Sequence, residues 1–302
     1  MIERGRFAPS PTGELHLGNA RTALLSWLWT RQAGGQYLVR VEDIDAPRVR
    51  PKMAEQQLSE LRWLGLDWDG PPLFQSLRTA AYEDALCRLN GHIYTCFCSR
   101  AEIAAASAPQ GDEGPRYPGT CANLTSLQRA ERARTRAPSL RLRVPTGPIT
   151  FRDEIQGEQS FDPQQLVGDF VLRRGDGVFA YQLAVVVDDG ASGITQVLRG
   201  ADLLSSTARQ ILLHRLLGQP EPRWAHAPLL IAGNGERLSK RDKSLSLSTL
   251  RGRGVDPRQI VAHLARLSGL SAPGPCEPRE LLEGFSLSKV PRESVAIVGL
   301  PY

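Results

Sequence analysis

At 302 residues, with 41% hydrophobic and 23% charged content, the chain is long enough to bury a full core in one large or two modest domains, and its composition excludes disorder. No basic stretch followed by an apolar run opens it, and the most apolar segments, such as residues 183–187, meet charges too soon to span a bilayer; a cytoplasmic monomer with no membrane partner is expected. The net charge of +5 is compatible with a polyanionic partner, and five cysteines, three of them close together at Cys96, Cys98 and Cys121, fit metal binding in a reducing compartment better than a disulfide framework.

Residues 4–8 form a strand candidate that runs into a Pro-Ser-Pro-Thr-Gly turn. Ala20, Ala23, Leu24, Trp27 and Leu28 then recur at helical spacing until Gly34 and Gly35 end the pattern. Residues 36–42 alternate, with Tyr37, Val39 and Val41 on one face and Arg40 and Glu42 on the other, so this strand carries a carboxylate to its C-terminal end. Helical patterns at about 52–64 and 79–89 complete a βα, βαα order, which favours a parallel sheet with covering helices in a Rossmann-like half. Between 93 and about 162 the order weakens into Cys pairs, a Gly/Pro-rich stretch at 109–119 and an Arg-rich segment at 129–143, the pattern of an insertion. Strand patterns return at 169–173 and 178–187, joined by Arg174-Gly175-Asp176-Gly177 with hairpin-turn chemistry, and Asp188 and Asp189 read as a solvated turn at the end of the second. Alternation at 195–199 leads into a helix over 208–217, and 227–231 reads as a strand before Gly233-Asn234-Gly235. Asp256 and Pro257 are a good N-cap and first-position pair for a helix running to Leu267. The expected organisation is α/β: two halves of one catalytic domain over 1–92 and 163–232, an insertion over 93–162, and a signature loop with a short helical subdomain over 233–302.

A loop that leaves a parallel strand and enters a helix N-terminus offers free N–H groups and a positive dipole end, which suit a triphosphate. In His16-Leu17-Gly18-Asn19, Gly18 permits close backbone approach, and His16 and Asn19 can donate to phosphate oxygens. A second element is Arg237-Leu238-Ser239-Lys240-Arg241. Only four of the 37 basic residues are Lys (Lys52, Lys240, Lys243, Lys289), and two of them lie in this neighbourhood. A Gly-hinged loop with a Lys can set a compact ammonium on the charge that develops on a transferring phosphate.

In this order and ~220 residues apart, the two segments resemble the paired signatures of class I aminoacyl-tRNA synthetases. The stretch from Arg6-Phe7-Ala8-Pro9-Ser10 through His16-Leu17-Gly18-Asn19-Ala20-Arg21 is similar to the glutamyl and glutaminyl branch, as are Arg40-Val41-Glu42-Asp43-Ile44-Asp45 and Val197-Leu198-Arg199-Gly200. The second signature departs from the usual pattern at Arg237 and Arg241, where Lys and Ser are common. The resemblance implies a Rossmann-like class I catalytic domain that binds ATP with magnesium and L-glutamate and acts on tRNA. It assigns glutamate contacts to the strip from Arg6 to Ser10 (Phe7, Ala8 and Pro9 between them), to Glu42 and Arg199, and to Tyr181 as a phenol on a strand. It assigns ATP to His16, Gly18, Asn19 and Lys240, with His16 and Lys240 catalytic. Glutamate carries two carboxylates and an ammonium, so fixed cations and one carboxylate are the chemistry its pocket needs.

Three thiolates leave a zinc ion one ligand short of its tetrahedron. Tyr117, four residues before Cys121, can complete it as a phenolate, with His92 or water as other candidates for the fourth place. Cys96, Cys98, Tyr117 and Cys121 together resemble the structural zinc site of the shorter, tRNA-modifying members of this branch. Only 61 residues follow Arg241, which is similar to those truncated relatives. The function implied is transfer of glutamate, through a glutamyl-adenylate, to queuosine in the anticodon of tRNA(Asp). A minimal synthetase charging the terminal ribose of tRNA, and an idle RNA-binding relative, are the alternative readings.

Overall fold

The computed structural model describes residues 2–106, 114–232 and 246–297. The Gly-Asn-Gly turn and the segment from Arg237 to Arg241, with Lys240, lie outside the described residues. Within them the chain runs through β1 (Arg4–Phe7), α1 (Leu17–Gln32), β2 (Gln36–Val41), α2 (Met53–Trp63), β3 (Leu73–Phe74) and α3 (Thr79–Arg88). The middle third contains β4 (Ile93–Cys96), α4 (Arg100–Ala106), α5 (Ser126–Ala133), β5 (Ser139–Leu142), β6 (Ile149–Asp153), β7 (Gly157–Phe161), α6 (Pro163–Leu166) and β8 (Val171–Arg173). Then follow α7 (Tyr181–Ala191), β9 (Gln196–Gly200), α8 (Ser206–Leu216), β10 (Arg223–Ala227), β11 (Leu230–Ala232), α9 (Leu247–Gly252), α10 (Pro257–Leu267) and β12 (Val295–Ile297).

The main sheet has the order β3-β2-β1-β9-β10-β6-β7. All its pairs are parallel except the hairpin of β6 and β7. Between β1 and β9 the order reverses: one half of the chain builds outward through β2, the other through β10. In open α/β sheets that reversal leaves a crevice beyond the carboxyl ends of the strands, where ligands bind. Gly5 is what lets β1 lie tightly under α1, because a Cβ there would fall 1.9 Å from the Thr30 hydroxyl. Two apolar cores flank the sheet. One gathers Leu24, Trp27 and Leu28 of α1 with Ile260, Val261 and Leu264 of α10; the other gathers Leu183, Val186, Ile211 and Leu213 of α7 and α8 with Val197 and Trp224.

The segment 93–162 divides between two sheets. Antiparallel strands β4, β5 and β8 form a separate three-stranded sheet, whereas β6 and β7 extend the main one. The expected strand over 227–231 is instead two, β10 and β11, separated by Pro228, which has no amide to give a ladder; β11 pairs in parallel with β12.

A larger correction concerns 178–187. The turn 174–177 forms as expected, with Val178 O accepting from Arg174 N at 2.8 Å, but only an isolated bridge at Phe179 follows and the chain then enters helix α7. A short continuous apolar run does not separate a buried strand from a buried helix, and this one is buried on every side from Leu183 to Asp189. Tyr181 is therefore the first residue of a helix. The same change of element removes Asp188 and Asp189 from the solvated turn in which they were expected: they are 0% and 1% exposed. Asp188 accepts from the Tyr82 hydroxyl (2.8 Å), Gln75 Nε2 (2.9 Å) and Arg78 Nε (3.1 Å). Asp189 takes Arg6 through both oxygens, at 3.2 and 3.3 Å, and also Arg40 Nη1.

Burial alone would raise the Asp189 carboxyl, but Arg40 and then Arg6 outweigh it and hold it far below the usual carboxylate range. A depressed acid contributes stability that is complete above the unfolded value of about 3.9 and is lost as pH falls below it. Asp189→Asn leaves buried Arg6 without its counter-charge and Arg40 with only Glu42, and should cost about 3–5 kcal/mol at neutral pH. Urea unfolding of the two proteins at pH 7 measures this difference, which should shrink on acidification.

Candidate active site

Beyond the carboxyl ends of β1 and β9 lies a cavity of about 620 Å³. Its wall collects the strip Arg6, Phe7, Ala8, Pro9 and Ser10, together with Glu42, Tyr181 and Arg199, and at the other end His16, Gly18 and Asn19 of the α1 N-terminus. Every residue assigned above to glutamate or ATP is thus in one crevice, Lys240 apart, which is outside the described residues. The placement follows from topology. Arg6 lies near the end of β1, Glu42 follows the neighbouring strand β2 and Arg199 lies on β9, so three charges far apart in sequence meet at the sheet reversal.

The two ends of the cavity differ in chemistry. At the helix end, His16 is the N-cap of α1: its Nδ1 accepts from Gly18 N at 3.1 Å, while Asn19 Oδ1 accepts from His16 N at 3.2 Å, a reciprocal capping box. Nδ1 being the acceptor, the neutral ring carries its proton on Nε2. Gly18 is needed for this, since a Cβ would come within 2.9 Å of the His16 ring. Gln57 of α2 adds a clamp that the sequence pattern did not reveal, donating through Nε2 to Ser10 O (3.1 Å) and Gly13 O (2.7 Å) and so shaping the turn between β1 and α1.

At the sheet end, ionised groups are stacked in depth. Glu42 sits 3.3 Å from Arg40 Nη2 and 3.4 Å from the Ser10 hydroxyl. Burial raises its carboxyl above the ordinary range despite the pull of Arg40 and Arg6, so an arriving cation is favoured there. Burial likewise raises the Tyr181 phenol and lowers Arg199. Arg199 is held on several sides: Nε donates to His226 Nε2 (3.0 Å), Nη1 to Gln210 Oε1 (2.7 Å) and Nη2 to Thr207 Oγ1 (2.9 Å). His226 in turn meets Asp153 Oδ2 through Nδ1 at 2.6 Å. His226, Asp153 and Gln210 carry no motif that marks them in the sequence, whereas Asp189 is visible there only as part of an expected solvated turn. The available signal was a polar residue alternating with apolar ones, as in Trp224-Ala225-His226-Ala227.

Some distance along the chain, Cys96, Cys98 and Cys121 bring their sulfurs within 4.8 Å of one another. The Tyr117 hydroxyl oxygen accepts from Cys96 Sγ at 3.3 Å and from Cys121 N at 2.8 Å. Burial pushes the Cys98 thiol up to about 12, while at Cys96 the hydrogen bond shared with Tyr117 and the other neighbouring groups overcome burial and lower it. Arg141 stacks 3.8 Å from the Tyr117 ring centre, and Arg132 Nη1 donates to Cys121 Sγ at 3.5 Å, so positive charge surrounds a donor set that becomes anionic on losing its protons.

A parallel sheet with a helix N-terminus and paired cations at its reversal point defines a Rossmann-type α/β catalytic domain. The chain belongs to the family of class I tRNA synthetases (E and Q), whose catalytic-domain description matches residues 4–290. It is 54% identical to the glutamyl-Q tRNA(Asp) synthetase of Symbiobacterium thermophilum over 97% of this chain and 95% of that one, and 51% identical to that of Nitratidesulfovibrio vulgaris over 88% and 86%. Among solved structures it is similar to a glutamate tRNA ligase from Elizabethkingia meningosepticum, with a TM-score of 0.85 and 28% identity, covering 99% of this chain and 67% of that one.

The His16 cap carries a measurable share of the helix whatever else the ring does. His16→Ala should lower stability by about 1 kcal/mol, the usual cost of losing an N-cap acceptor, read as a fall in the thermal midpoint with helix content otherwise retained.

Proposed function

We propose that this protein activates L-glutamate with ATP and transfers it to queuosine in the anticodon of tRNA(Asp). The observation that carries the reading is the single crevice in which Arg6, Glu42, Tyr181 and Arg199 face the N-terminus of α1, in a chain half identical over nearly its whole length to glutamyl-Q tRNA(Asp) synthetases. The cations suit the carboxylates of glutamate and Glu42 its ammonium. The α1 N-terminus, with His16, Gly18 and Asn19, suits phosphate oxygens. Lys240 supplies a further charge for the phosphates.

Chemically, one α-carboxylate oxygen of glutamate bonds to the α-phosphorus of ATP as the bond to pyrophosphate breaks, leaving a mixed anhydride. Arg6, Glu42 and Arg199 hold the amino acid, and the helix end and Lys240 stabilise charge on the departing phosphates. ATP is taken with its magnesium ion, which neutralises phosphate charge. A hydroxyl of the cyclopentenediol of queuosine then attacks the glutamyl carbonyl and AMP leaves with the bonding electrons. A cis-diol on a five-membered ring resembles a terminal ribose, so the pocket chemistry serves either acceptor; the close relatives favour the anticodon base. No side chain need become covalently attached.

The cysteine cluster fits zinc. Three thiols within 4.8 Å, two of them buried and Cys98 half-buried, and a phenol in contact with one of them are a sulfur-rich tetrahedral set, and zinc held there would brace the segment between β4 and β5 as a structural ion. Tyr117 is the proposed fourth ligand.

Two preparations of tRNA(Asp), with and without queuosine and each also trimmed of its terminal adenosine, test the acceptor. Labelled glutamate should appear only on the queuosine-containing RNA and survive the trimming; charging of unmodified tRNA(Glu) at its end would instead identify an ordinary synthetase. For the metal, elemental analysis of protein prepared without chelators should give one zinc per chain, falling on Cys121→Ser, whereas zinc-free folded protein would remove the assignment.

A further inference from the structure

Three arginines lie buried on the amino-acid side of the crevice or just behind it: Arg6, Arg40 and Arg199, at 4%, 4% and 5% exposure. Two of them are already compensated. Arg6 and Arg40 share Asp189, and Arg40 also meets Glu42. Arg199 differs, because among the described residues no carboxylate lies within ion-pair distance of it. Its partners are the His226 ring, the Gln210 amide, the Thr207 hydroxyl and the Leu203 carbonyl, with the Tyr181 phenol alongside.

On the His226 side, Asp153 reaches Arg199 only through the imidazole ring. It holds His226 Nδ1 at 2.6 Å and also accepts the backbone N–H groups of Ile155, Gln156 and His226. Because His226 Nδ1 gives its proton to Asp153, Nε2 is left as a neutral acceptor for Arg199 Nε. The arrangement spans three adjacent strands: His226 and Arg199 are directly opposed on β10 and β9, and Asp153 ends β6. Burying a cation with neutral partners alone is the costlier choice for stability, yet it leaves the charge of Arg199 uncompensated until an anion enters.

We propose that His226, oriented by Asp153, and Gln210 form a neutral cage that fixes the Arg199 guanidinium in place while keeping its charge available for a substrate carboxylate, making Gln210 and His226 determinants of selectivity for an acidic amino acid. The inference rests on the glutamate-activating reading. His226 and Gln210 act through Arg199 and are positioning residues. A direct carboxylate in place of Gln210 would satisfy Arg199 better and bind substrate worse, so the proposal separates the two effects that a purely structural role would move together.

The test compares wild type, Gln210→Glu and His226→Asn in glutamate-dependent exchange of pyrophosphate with ATP, with thermal midpoints measured alongside. Gln210→Glu is nearly isosteric and should fold with an unchanged or higher midpoint, while KM for glutamate rises at least about tenfold, as expected when an unpaired charge is lost to a carboxylate, and KM for ATP stays within about twofold. His226→Asn, too short to reach Arg199 Nε, should raise KM for glutamate in the same selective way and erode discrimination against glutamine. Should Gln210→Glu not fold, the KM split in His226→Asn decides by itself. An unchanged KM for glutamate in the folded Gln210→Glu protein, or equal rises in both KM values, overturns the cage. Absence of glutamate-dependent exchange in wild type overturns the activity reading instead.

Discussion

The buried carboxylate of Asp189 is the interaction on which the rest of the site depends. It is reached by Arg6 from β1 and by Arg40 from β2, and it belongs to α7, so one side chain ties two neighbouring strands to the helix packed on them. Without it, two guanidinium groups in a dry interior would repel each other where the sheet reverses. With it, the end of β1 is held in place, and the residues that follow, from Ala8 to Ser10, leave the sheet in a defined direction toward the α1 cap.

That anchoring divides the labour among the charges of the pocket. Arg40 is spent on structure, Arg6 both pairs with Asp189 and lines the cavity, and Glu42 is left with a raised affinity for a proton or another cation. Arg199 is arranged the opposite way, with neutral partners and its nearest supporting acid placed behind a histidine. One wall of the cavity is thus prepared for positive charge and another for negative charge, which is the demand a zwitterionic acid with an extra carboxylate makes. The neutral state of His226, with a proton affinity lowered to about 4 by burial first of all, belongs to the same arrangement.

At the other end of the cavity the backbone supplies the chemistry. The clamp by Gln57, the His16 and Asn19 capping box and the missing side chain at Gly18 all serve to present a helix N-terminus to the space beside the amino-acid pocket. The cysteine cluster is built separately, at the end of β4, in the loop that follows it and in the turn before α5, and arginines of the same region surround it.

Much of this was legible in the chain itself. Strands β1 and β2, helices α1, α2 and α3, the Asp256 and Pro257 helix start and the motifs that carry Arg6, Glu42, Arg199 and the cysteines each depend on residues near one another in sequence, where turn chemistry, periodicity and capping act; the two-residue strand β3 is too short to leave such a pattern. What only the tertiary structure decided depends on burial from several sides at once. Residues 181–191 became a helix, against their strand-like Val-Val-Val run, because packing against α3, α8 and the sheet leaves an all-round apolar segment with no preference that period alone can express. Asp188 and Asp189 became a buried anchor because their arginine partners arrive from positions ~110 to ~180 residues away, and the partners of Arg199 are contributed by a strand and a helix that local sequence cannot bring together.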